Sequence, residues 1–404
     1  MSDLLQKHAK LAARHKMMLS LGADAVGIRM DRILSPTRAL IDGVETILAG
    51  TNNYMGMTFD EACVRAGHEA LEKSGTGTTG SRIANGTYAM HKELEAELAD
   101  FLKRDHVIVF STGYQANLGM LAGLAGPQDT IFLDADSHAS IYDGCRLSGA
   151  TLVRFRHNDA GDLDKRLSRL GQDEGGRLVV LEGIYSMFGD RAPLDEFVDV
   201  KRRHGFSLLV DEAHSLGVLG DGGRGLADEM GLEDEVDFVV GTFSKSLGAV
   251  GGFGAGNQPL LEALRYASRP YMFTASSSPT SIATVTEAVR QLRRRPELRD
   301  QLRRNSTQLF DGFKALGLEL CCDRVSPVIA VKVPDEMTAI TLWNALLKAG
   351  VYVNLALPPG TPNATCLLRC SVSAAHTAED IARIVGIFES VCSKVLAAAP
   401  AEAS

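Results

Sequence analysis

The sequence predicts an α/β protein with a mostly parallel central sheet, helices on both faces of that sheet, and a smaller C-terminal α+β domain. From about residue 100 to residue 260, short apolar runs alternate with helical stretches, which is typical of parallel strands buried on both faces. Beyond residue 277 the strand candidates become fewer and the helical stretches longer. A length of 404 residues also suits one large and one smaller domain.

The strand candidates of the large domain are rich in Val, Ile, Leu or Phe, and Gly, Asp or Ser punctuate the chain near each of them. They are His106–Phe110, Thr130–Asp134, Thr151–Phe155, Leu178–Glu182, Ser207–Asp211, Phe238–Gly241 and Gly252–Gly256. Ligands of parallel sheets bind beyond the carboxyl ends of the strands. The polar residues that end these runs are therefore the candidates for chemistry.

The N-terminal and C-terminal parts of the chain lack the regular alternation of the central region. Residues 1–22 read as a helix, and Val44–Ala49 as a first strand. A helical stretch over Ser281–Arg295 stops before Pro296, which a helix interior does not tolerate. The C-terminal block then contains strand candidates Val325–Val333, Val351–Leu355 and Cys366–Val372 and helix candidates Met337–Ala349 and Thr377–Ala397. We expect an N-terminal helical segment over 1–45, a large domain over 46–276 and a small domain over 277–404.

Composition excludes several classes of protein. The net charge of −8 and the pI near 5.7 argue against a nucleic-acid-binding surface. The seven cysteines lack the spacing of zinc sites or disulfide frameworks, so we expect no metal and a cytoplasmic location. No run reaches the roughly 18 apolar residues that span a bilayer. The N-terminal helix is expected to pack on the body or on a partner subunit, the alternative being peripheral contact with the inner membrane.

Lys245 is the first candidate for chemistry. It follows an apolar strand and lies between Thr242, Ser244 and Gly248, so its amine can lie at the strand end. A partly desolvated lysine has a depressed pKa and can form a Schiff base with a carbonyl group. Taken alone, a lysine is more often a solvated surface charge.

Asp211 ends another apolar strand, and His214 follows three residues later. Such an aspartate can keep the ring nitrogen of a pyridoxal cofactor protonated, which makes the ring an electron sink. His214 can reach the same space and bond to the phenolic oxygen of the ring. Asp211 fits equally well as the N-cap of a following helix.

Two further segments follow strands. Thr112, Gly113 and Tyr114 connect a strand to a helix, and such a turn can offer backbone N–H groups to a phosphate, although the pattern is common. His138 offers a flat ring that could stack on a cofactor, although a lone histidine there is more often structural. Each signal is modest by itself, and their shared position at strand ends strengthens them.

Arg369 and Thr274 lie away from those strand ends. Arg369 is placed inside an apolar strand, where an arginine needs an anionic partner, either a substrate carboxylate or an internal acid. Thr274 follows Phe273 near the domain junction, where a phosphate contact competes with an ordinary turn hydroxyl.

Four stretches carry a resemblance to a known family: Gly80–Thr87, Asp134–Gly144, Asp211–Ser215 and Gly241–Ser246. The chain resembles the α-oxoamine synthases, fold-type I transferases that depend on pyridoxal 5′-phosphate. Within that family it is most similar to the bacterial members that condense serine with palmitoyl-CoA. The resemblance extends over nearly the whole chain and implies a homodimer with a shared active site.

The resemblance also implies residue roles. Lys245 would hold the cofactor covalently and remove the α-proton, Asp211 would pair with the ring nitrogen, and His138 would stack on the ring and orient the substrate carboxylate. The other implied cofactor contacts are His214 and Thr242 at the ring and Gly113, Tyr114, Ser244 and Thr274 near the phosphate, Thr274 from the other subunit. The implied substrate contacts are Asn53 near the amino acid and Arg369 at its carboxylate.

The chain departs from that family pattern at Leu357, which precedes Pro358-Pro359-Gly360-Thr361-Pro362. The resemblance to one bacterial member of the family implies an arginine at this position, which helps to hold the substrate carboxylate. Asn52 stands where an aromatic residue is expected. The expected reaction is condensation of L-serine with a long-chain acyl-CoA to 3-oxosphinganine, with glycine or alanine and another acyl-CoA as the alternative. An aminotransferase on the same fold is the alternative of another class.

Overall fold

The computed structural model describes residues 4–22, 24, 27–170 and 175–398. The chain divides into two compact units. The central unit comprises residues 52–302, and the terminal unit comprises residues 1–51 together with 303–404. Each unit has its own β-sheets.

Strands and helices alternate through most of the central unit, and the elements of both units are numbered together in chain order. In chain order, the strands are β1 Arg32–Ser35, β2 Arg38–Ile41, β3 Val44–Leu48, β4 His106–Phe110, β5 Thr130–Asp134, β6 Thr151–Phe155, β7 Arg177–Glu182, β8 Ser207–Asp211, β9 Phe238–Thr242, β10 Gly252–Gly256, β11 Val328–Val333, β12 Val351–Tyr352, β13 Asn354–Ala356 and β14 Cys366–Ser371. The helices are α1 Ala9–Ser20, α2 Glu61–Ser74, α3 Ala89–Leu102, α4 Gly113–Leu124, α5 Ala139–Ser148, α6 Ala160–Arg169, α7 Leu194–His204, α8 Leu226–Met230, α9 Leu264–Ala267, α10 Arg269–Met272, α11 Pro279–Arg294, α12 Glu297–Ala315, α13 Glu336–Lys348 and α14 Ala378–Ala398.

A seven-stranded sheet in the order β4-β10-β9-β8-β7-β5-β6 forms the centre of the central unit. The neighbours from β9 to β6 pair in parallel, whereas β10 is antiparallel to both β4 and β9. The prediction of a mostly parallel sheet is confirmed, and all the strand candidates of this part of the chain are strands. Their apolar character has a direct cause: in β8 the consecutive residues Leu208, Leu209 and Val210 are all fully buried, so both faces of the sheet are covered.

Helix α4 packs closely on the glycine-rich strand β10. A Cβ atom added at Gly254 would lie 2.2 Å from Met120 Sδ of α4, so a larger residue would force this buried side chain to move. This close approach brings the N-terminus of α4 to the carboxyl end of the neighbouring strands. The apolar layer between the sheet and α4 and α5 includes Phe110, Leu133 and Val180, each at most 2% exposed.

The terminal unit contains two smaller sheets, ordered β1-β2-β3-β12 and β11-β14-β13. The prediction of one strand over Val351–Leu355 is wrong: β12 pairs in parallel with β3, whereas β13 pairs antiparallel with β14. Val353 lies between them, and its carbonyl accepts a hydrogen bond from Trp343 Nε1 at 2.8 Å. This side-chain bond satisfies the carbonyl at the point where the chain changes sheets.

The N-terminal region differs from the prediction in two ways. β1 and β2 precede Val44–Ala49, which was predicted to be the first strand, and the N-terminal helix is shorter than predicted. The α-helix covers Ala9–Ser20 and is preceded by a 3₁₀ turn, Gln6–His8, while residues 1–3 of the predicted helix lie outside the described residues. The chain leaves the helix near Gly22, whose φ of +76° favours glycine. Within the described ranges, no helix combines the length and the hydropathy needed to cross a bilayer.

Candidate active site

A cavity of about 330 Å³ opens in the central unit where β4, β5, β7, β8 and β9 end. Eight of the residues predicted from the sequence line it, namely Gly113, Tyr114, His138, Asp211, His214, Thr242, Ser244 and Lys245. They come from four separate segments of the chain. The other lining residues are Thr112, Asn117, Ser140, Glu182, Ala213, Gly241, Val250 and Gly251.

Asp211 forms the floor of this cavity at the end of β8. It is 5% exposed, and both carboxylate oxygens accept hydrogen bonds: Oδ1 from the backbone N–H of Ala213 at 2.9 Å, and Oδ2 from Asn117 Nδ2 at 2.7 Å. Two donors, one at each oxygen, fix the carboxylate in one orientation. A buried acid held this way suits a ligand with a protonated ring nitrogen.

Glu182 is a lining residue that the sequence analysis missed. It ends β7, directly opposite Asp211 in the parallel pairing of β7 with β8, and it is 3% exposed. Its Oε1 accepts a hydrogen bond from the backbone N–H of His138 at 2.5 Å. Burial, and then the nearby Asp211 carboxylate, raise the pKa of Glu182 well above its ordinary value. A polar residue at a strand end was the signal that could have found it.

His138 is the N-cap of α5 and lines the cavity. Its Nδ1 accepts from the backbone N–H of Ser140 at 3.2 Å and lies 2.8 Å from Ser140 Oγ. Burial lowers the pKa of His138, and the nearby Lys245 lowers it further, while Asp211 opposes the shift. The ring is therefore neutral near pH 7.

His214 lies at the same cavity and is held by Tyr54, a residue that the sequence analysis did not single out. Tyr54 Oη lies 2.7 Å from His214 Nδ1, and both side chains are at most 4% exposed. Asn53, which precedes Tyr54, is also buried and donates from Nδ2 to Thr58 Oγ1 at 2.7 Å. Asn53 is not among the lining residues of the cavity.

The N-terminus of α4 forms an anion cradle. Thr112 caps this helix of 12 residues by accepting from the backbone N–H of Gln115 at 3.1 Å. A Cβ atom at Gly113 would lie 2.6 Å from both Cβ and Oγ1 of Thr242, so only glycine lets the two strand ends approach this closely. Thr242 Oγ1 in turn lies 2.9 Å from Ser244 Oγ. Helix N–H groups beside two hydroxyls suit a phosphate.

Lys245 follows β9 and is half-buried at the cavity wall. Together with Asp211, His138 and the cradle at α4 it provides an amine, an acid, a flat ring and an anion site around one space. This donor set matches the aldehyde, the ring nitrogen, the ring face and the phosphate of pyridoxal phosphate. The residues present therefore fit that cofactor.

A partly buried charge cluster supports the segment that leads to His138. His157 Nδ1 lies 2.8 Å from Asp134 Oδ1, and its Nε2 lies 2.7 Å from Asp190 Oδ2. Burial opposes protonation, but the hydrogen bonds with Asp134 and Asp190 outweigh it and raise the pKa of His157 to about 10. Asp134 also accepts from the backbone N–H of Asp136 at 2.9 Å, which ties the segment to the end of β5.

Besides Asn53, two other predicted site residues, Thr274 and Arg369, do not line the cavity. Thr274 belongs to the central unit but does not line the cavity; its Oγ1 accepts from Gln115 Nε2 at 3.2 Å, beside the first turn of α4. Arg369 belongs to the terminal unit, in β14, where it is 6% exposed and donates from Nη1 to Ser371 Oγ at 3.0 Å.

Comparison with known proteins points to one group. The model of the aminotransferase class I and II family matches residues 45–388. The serine palmitoyltransferase of Caulobacter vibrioides is 56% identical over 378 residues, which is 94% of this chain and 93% of that protein. The serine palmitoyltransferase of Sphingomonas paucimobilis is 52% identical over 391 residues, 96% of this chain and 92% of that protein.

Solved structures agree with these relatives. A structure of serine palmitoyltransferase with its PLP internal aldimine superimposes with a TM-score of 0.96 at 52% identity, covering 98% of this chain and 99% of that one. An 8-amino-7-oxononanoate synthase from Francisella tularensis is more distant, with a TM-score of 0.74 at 26% identity, covering 86% of this chain and 98% of that one.

Proposed function

Because the chain belongs to the aminotransferase class I and II family, and within it to the α-oxoamine synthases, we propose that it condenses L-serine with a long-chain acyl-CoA. The products are 3-oxosphinganine, free CoA and carbon dioxide when the acyl group is palmitoyl, and this is the first step of sphingolipid synthesis. The observation that carries the proposal is the convergence of Lys245, Asp211 and His138 on one cavity.

The cofactor supplies an electron sink for the electron pair that is left on the amino acid when its Cα–H bond breaks. Lys245 would hold the cofactor and act as the base that takes the Cα proton. Asp211, fixed by its two donors, would keep a proton on the ring nitrogen. His138 would donate a hydrogen bond to the substrate carboxylate, which orients the Cα–H bond.

Every bond that breaks in the proposed condensation is matched by a product or a new bond. At serine, the Cα–H and Cα–carboxylate bonds break, and a bond from Cα to the thioester carbonyl carbon forms. At the acyl-CoA, the carbon–sulfur bond breaks and CoA leaves as a thiol. A proton returns to Cα after carbon dioxide has left, so no oxidant or reductant is needed.

A CoA-release assay that crosses serine, glycine and alanine with short and long acyl-CoAs tests the proposal. Thiol release should be fastest with serine and a long chain, and mass spectrometry should show the amino ketone. Release with glycine or alanine alone would favour the alternative that Leu357 leaves open. Formation of a keto acid without thiol release would indicate an aminotransferase.

The Lys245→Ala variant provides the matched test of the site. It should lose both the visible absorbance of protein-bound cofactor and turnover with every substrate pair. A purified Lys245→Ala variant that turned over at the wild-type rate would refute the proposed role of the lysine.

We propose substrate roles for the residues outside the cavity lining. Arg369 is a buried cation in an apolar strand and would bind the serine carboxylate. Replacing it by lysine keeps the charge but removes bidentate geometry, so the serine KM should rise while acyl-CoA KM stays constant. Asn53 would lie near the amino acid, and Thr274 would contact the phosphate of the partner's cofactor.

We also propose a homodimer. Large apolar side chains of the central unit are exposed near Thr274, including Tyr266 at 77% and Phe273 at 70%, and a partner subunit would cover them. Light scattering should give twice the chain mass of 43.3 kDa. A monomer that turned over at the full rate would contradict both the dimer and the shared active site.

The remaining proposal concerns location: a cytoplasmic enzyme with peripheral contact at the inner membrane. Leu4, Leu5, Leu11 and Leu19 at the N-terminal helix are each at least 47% exposed and alternate with basic residues, which favours an anionic surface. Co-sedimentation with anionic vesicles, compared with neutral ones, tests the contact. Equal recovery with both would contradict it.

A further inference from the structure

A chain of hydrogen bonds joins Asp211 to the ring of His138. Asn117 Nδ2 lies 2.7 Å from Asp211 Oδ2 and 3.0 Å from Ser140 Oγ. Ser140 Oγ lies 2.8 Å from His138 Nδ1. Asn117 is 3% exposed and Ser140 is 1% exposed, so water does not compete for these bonds.

The number of donors gives this hydrogen-bond chain one direction. The NH₂ group of Asn117 has two hydrogens, and Asp211 and Ser140 take one each. The opposite amide orientation would place the Asn117 oxygen 2.7 Å from the Asp211 carboxylate, where two acceptors repel. Ser140 Oγ therefore accepts from Asn117, and its own hydrogen is available for His138 Nδ1.

The backbone gives the same direction independently. The N–H of Ser140 donates to His138 Nδ1 at 3.2 Å, so a hydrogen on Nδ1 would face a second donor. Two donors from one residue thus converge on this ring nitrogen. Nδ1 must be the unprotonated nitrogen of the neutral ring, and the hydrogen must lie on Nε2.

We propose that Asn117 and Ser140 are positioning residues that fix His138 as the neutral Nε2–H tautomer, so that it meets the substrate carboxylate as a hydrogen-bond donor. This inference rests on the proposed function for the identity of the acceptor. We call the hydrogen-bond chain from Asp211 through Asn117 and Ser140 to His138 the relay. Asp211 would also pair with the ring nitrogen of the cofactor, so one carboxylate would orient both the cofactor ring and the imidazole of His138. A neutral donor is preferable to an imidazolium because it adds no positive charge beside the protonated cofactor ring.

The charged groups around His138 are consistent with this assignment. Its backbone N–H donates to Glu182, and Asp211 and Lys245 are the charged groups that shift its titration. Burial, the largest influence, disfavours the imidazolium. The lowered pKa favours the neutral ring, whose single proton then lies on Nε2.

Nitrogen NMR of the holoenzyme labelled with ¹⁵N in its histidine rings tests the proposal without turnover. The His138→Gln variant identifies the signals by difference. The wild-type ring should show an unprotonated Nδ1 and a protonated Nε2. Ser140→Ala should raise the fraction of the Nδ1–H tautomer about two- to tenfold, the value of one neutral hydrogen bond, and raise the serine KM by a similar factor.

Two further variants sharpen the comparison. Asn117→Leu, which keeps the volume but removes both donors, should act in the same direction as Ser140→Ala. Ser148→Ala is the matched control, because this buried hydroxyl of the same helix bonds to the Cys145 carbonyl at 2.6 Å and the Ala150 N–H at 3.1 Å, outside the relay. It should leave both the ring signals and the serine KM unchanged.

The outcomes separate the claims. A wild-type ring with the hydrogen on Nδ1, or on both nitrogens, would overturn the proposal even if no variant folded. An unchanged tautomer in both Ser140→Ala and Asn117→Leu would overturn the role of the relay. If serine gave no CoA release while the tautomer was as proposed, the proposed function alone would fail.

Discussion

Replacing Asp211 by asparagine is the sharpest test of the site because both of its oxygens are acceptors. Oδ1 faces the N–H of Ala213 and Oδ2 faces the NH₂ group of Asn117. An asparagine has one oxygen and one NH₂ group, so in either orientation its NH₂ group faces another donor. The variant therefore loses a hydrogen bond inside the protein as well as the negative charge at the cavity floor.

The size of both effects can be worked out. An unsatisfied buried donor costs about 1–3 kcal/mol of folding free energy. Loss of a hydrogen bond to a charged ring nitrogen costs a further 1.5–3 kcal/mol or so, roughly ten- to 150-fold in affinity. We expect weaker cofactor binding by that factor, and a larger loss of turnover, because the ring would no longer be held protonated.

Titration of the cofactor-free protein with pyridoxal phosphate, followed by absorbance, measures the affinity, and CoA release measures turnover. Asp380→Asn is the matched control. Asp380 is another buried carboxylate, 4% exposed, but it pairs with Arg38 in the terminal unit. It should lower the unfolding temperature without changing cofactor affinity. An Asp211→Asn variant with wild-type affinity and rate would refute the assignment of this residue to the ring nitrogen.

Three other predictions follow from the same contacts. Gly113→Ala should weaken cofactor binding about five- to 150-fold, because its Cβ would lie 2.6 Å from Thr242 and overpacking costs about 1–3 kcal/mol; absorbance titration measures it. Tyr54→Phe should lower turnover about two- to tenfold by releasing His214 Nδ1, as steady-state kinetics will show. The pKa of His157, raised to about 10 from an ordinary value near 6.5, predicts a stabilising contribution that is complete below about pH 6.5 and is lost as the pH rises through 10, measured by thermal unfolding.

Each of these has a contradicting result. Gly77→Ala is the control for Gly113→Ala, because a Cβ atom at Gly77 meets nothing within 4 Å. Equal affinities of the two variants for pyridoxal phosphate would contradict the assignment of the phosphate to the N-terminus of α4. Unchanged turnover in Tyr54→Phe would mean that His214 needs no support. If His157→Gln lost stability equally at pH 7 and pH 10, the charge of the imidazole would not be the cause.

Much of the fold follows from local pattern. Parallel strands that are buried on both faces must be apolar throughout, so runs such as Ser207–Asp211 stand out against amphipathic helices, and the strand bounds agree closely. The same rule placed candidates at the strand ends, and eight of the predicted site residues line one cavity. The prediction of a single strand over Val351–Leu355 was wrong because the chain changes sheets at Val353. A tertiary contact, the hydrogen bond from Trp343 to the Val353 carbonyl, marks that point.

The sequence by itself determined which segments form the central sheet and which side chains follow them, because strands that are buried on both faces are apolar along their whole length. The short, partly exposed strands β1 and β2 lack that pattern and were not predicted. The tertiary structure alone decided which side chains hold those residues in place. Tyr54 meets His214 across 160 residues, and Asn117 meets Asp211 across 94. No local pattern marks such partners, because a hydrogen bond between distant segments depends on where the fold brings them. The residues that hold the site in place can therefore be identified only from the tertiary structure, whereas the residues that carry its chemistry can be predicted from the sequence.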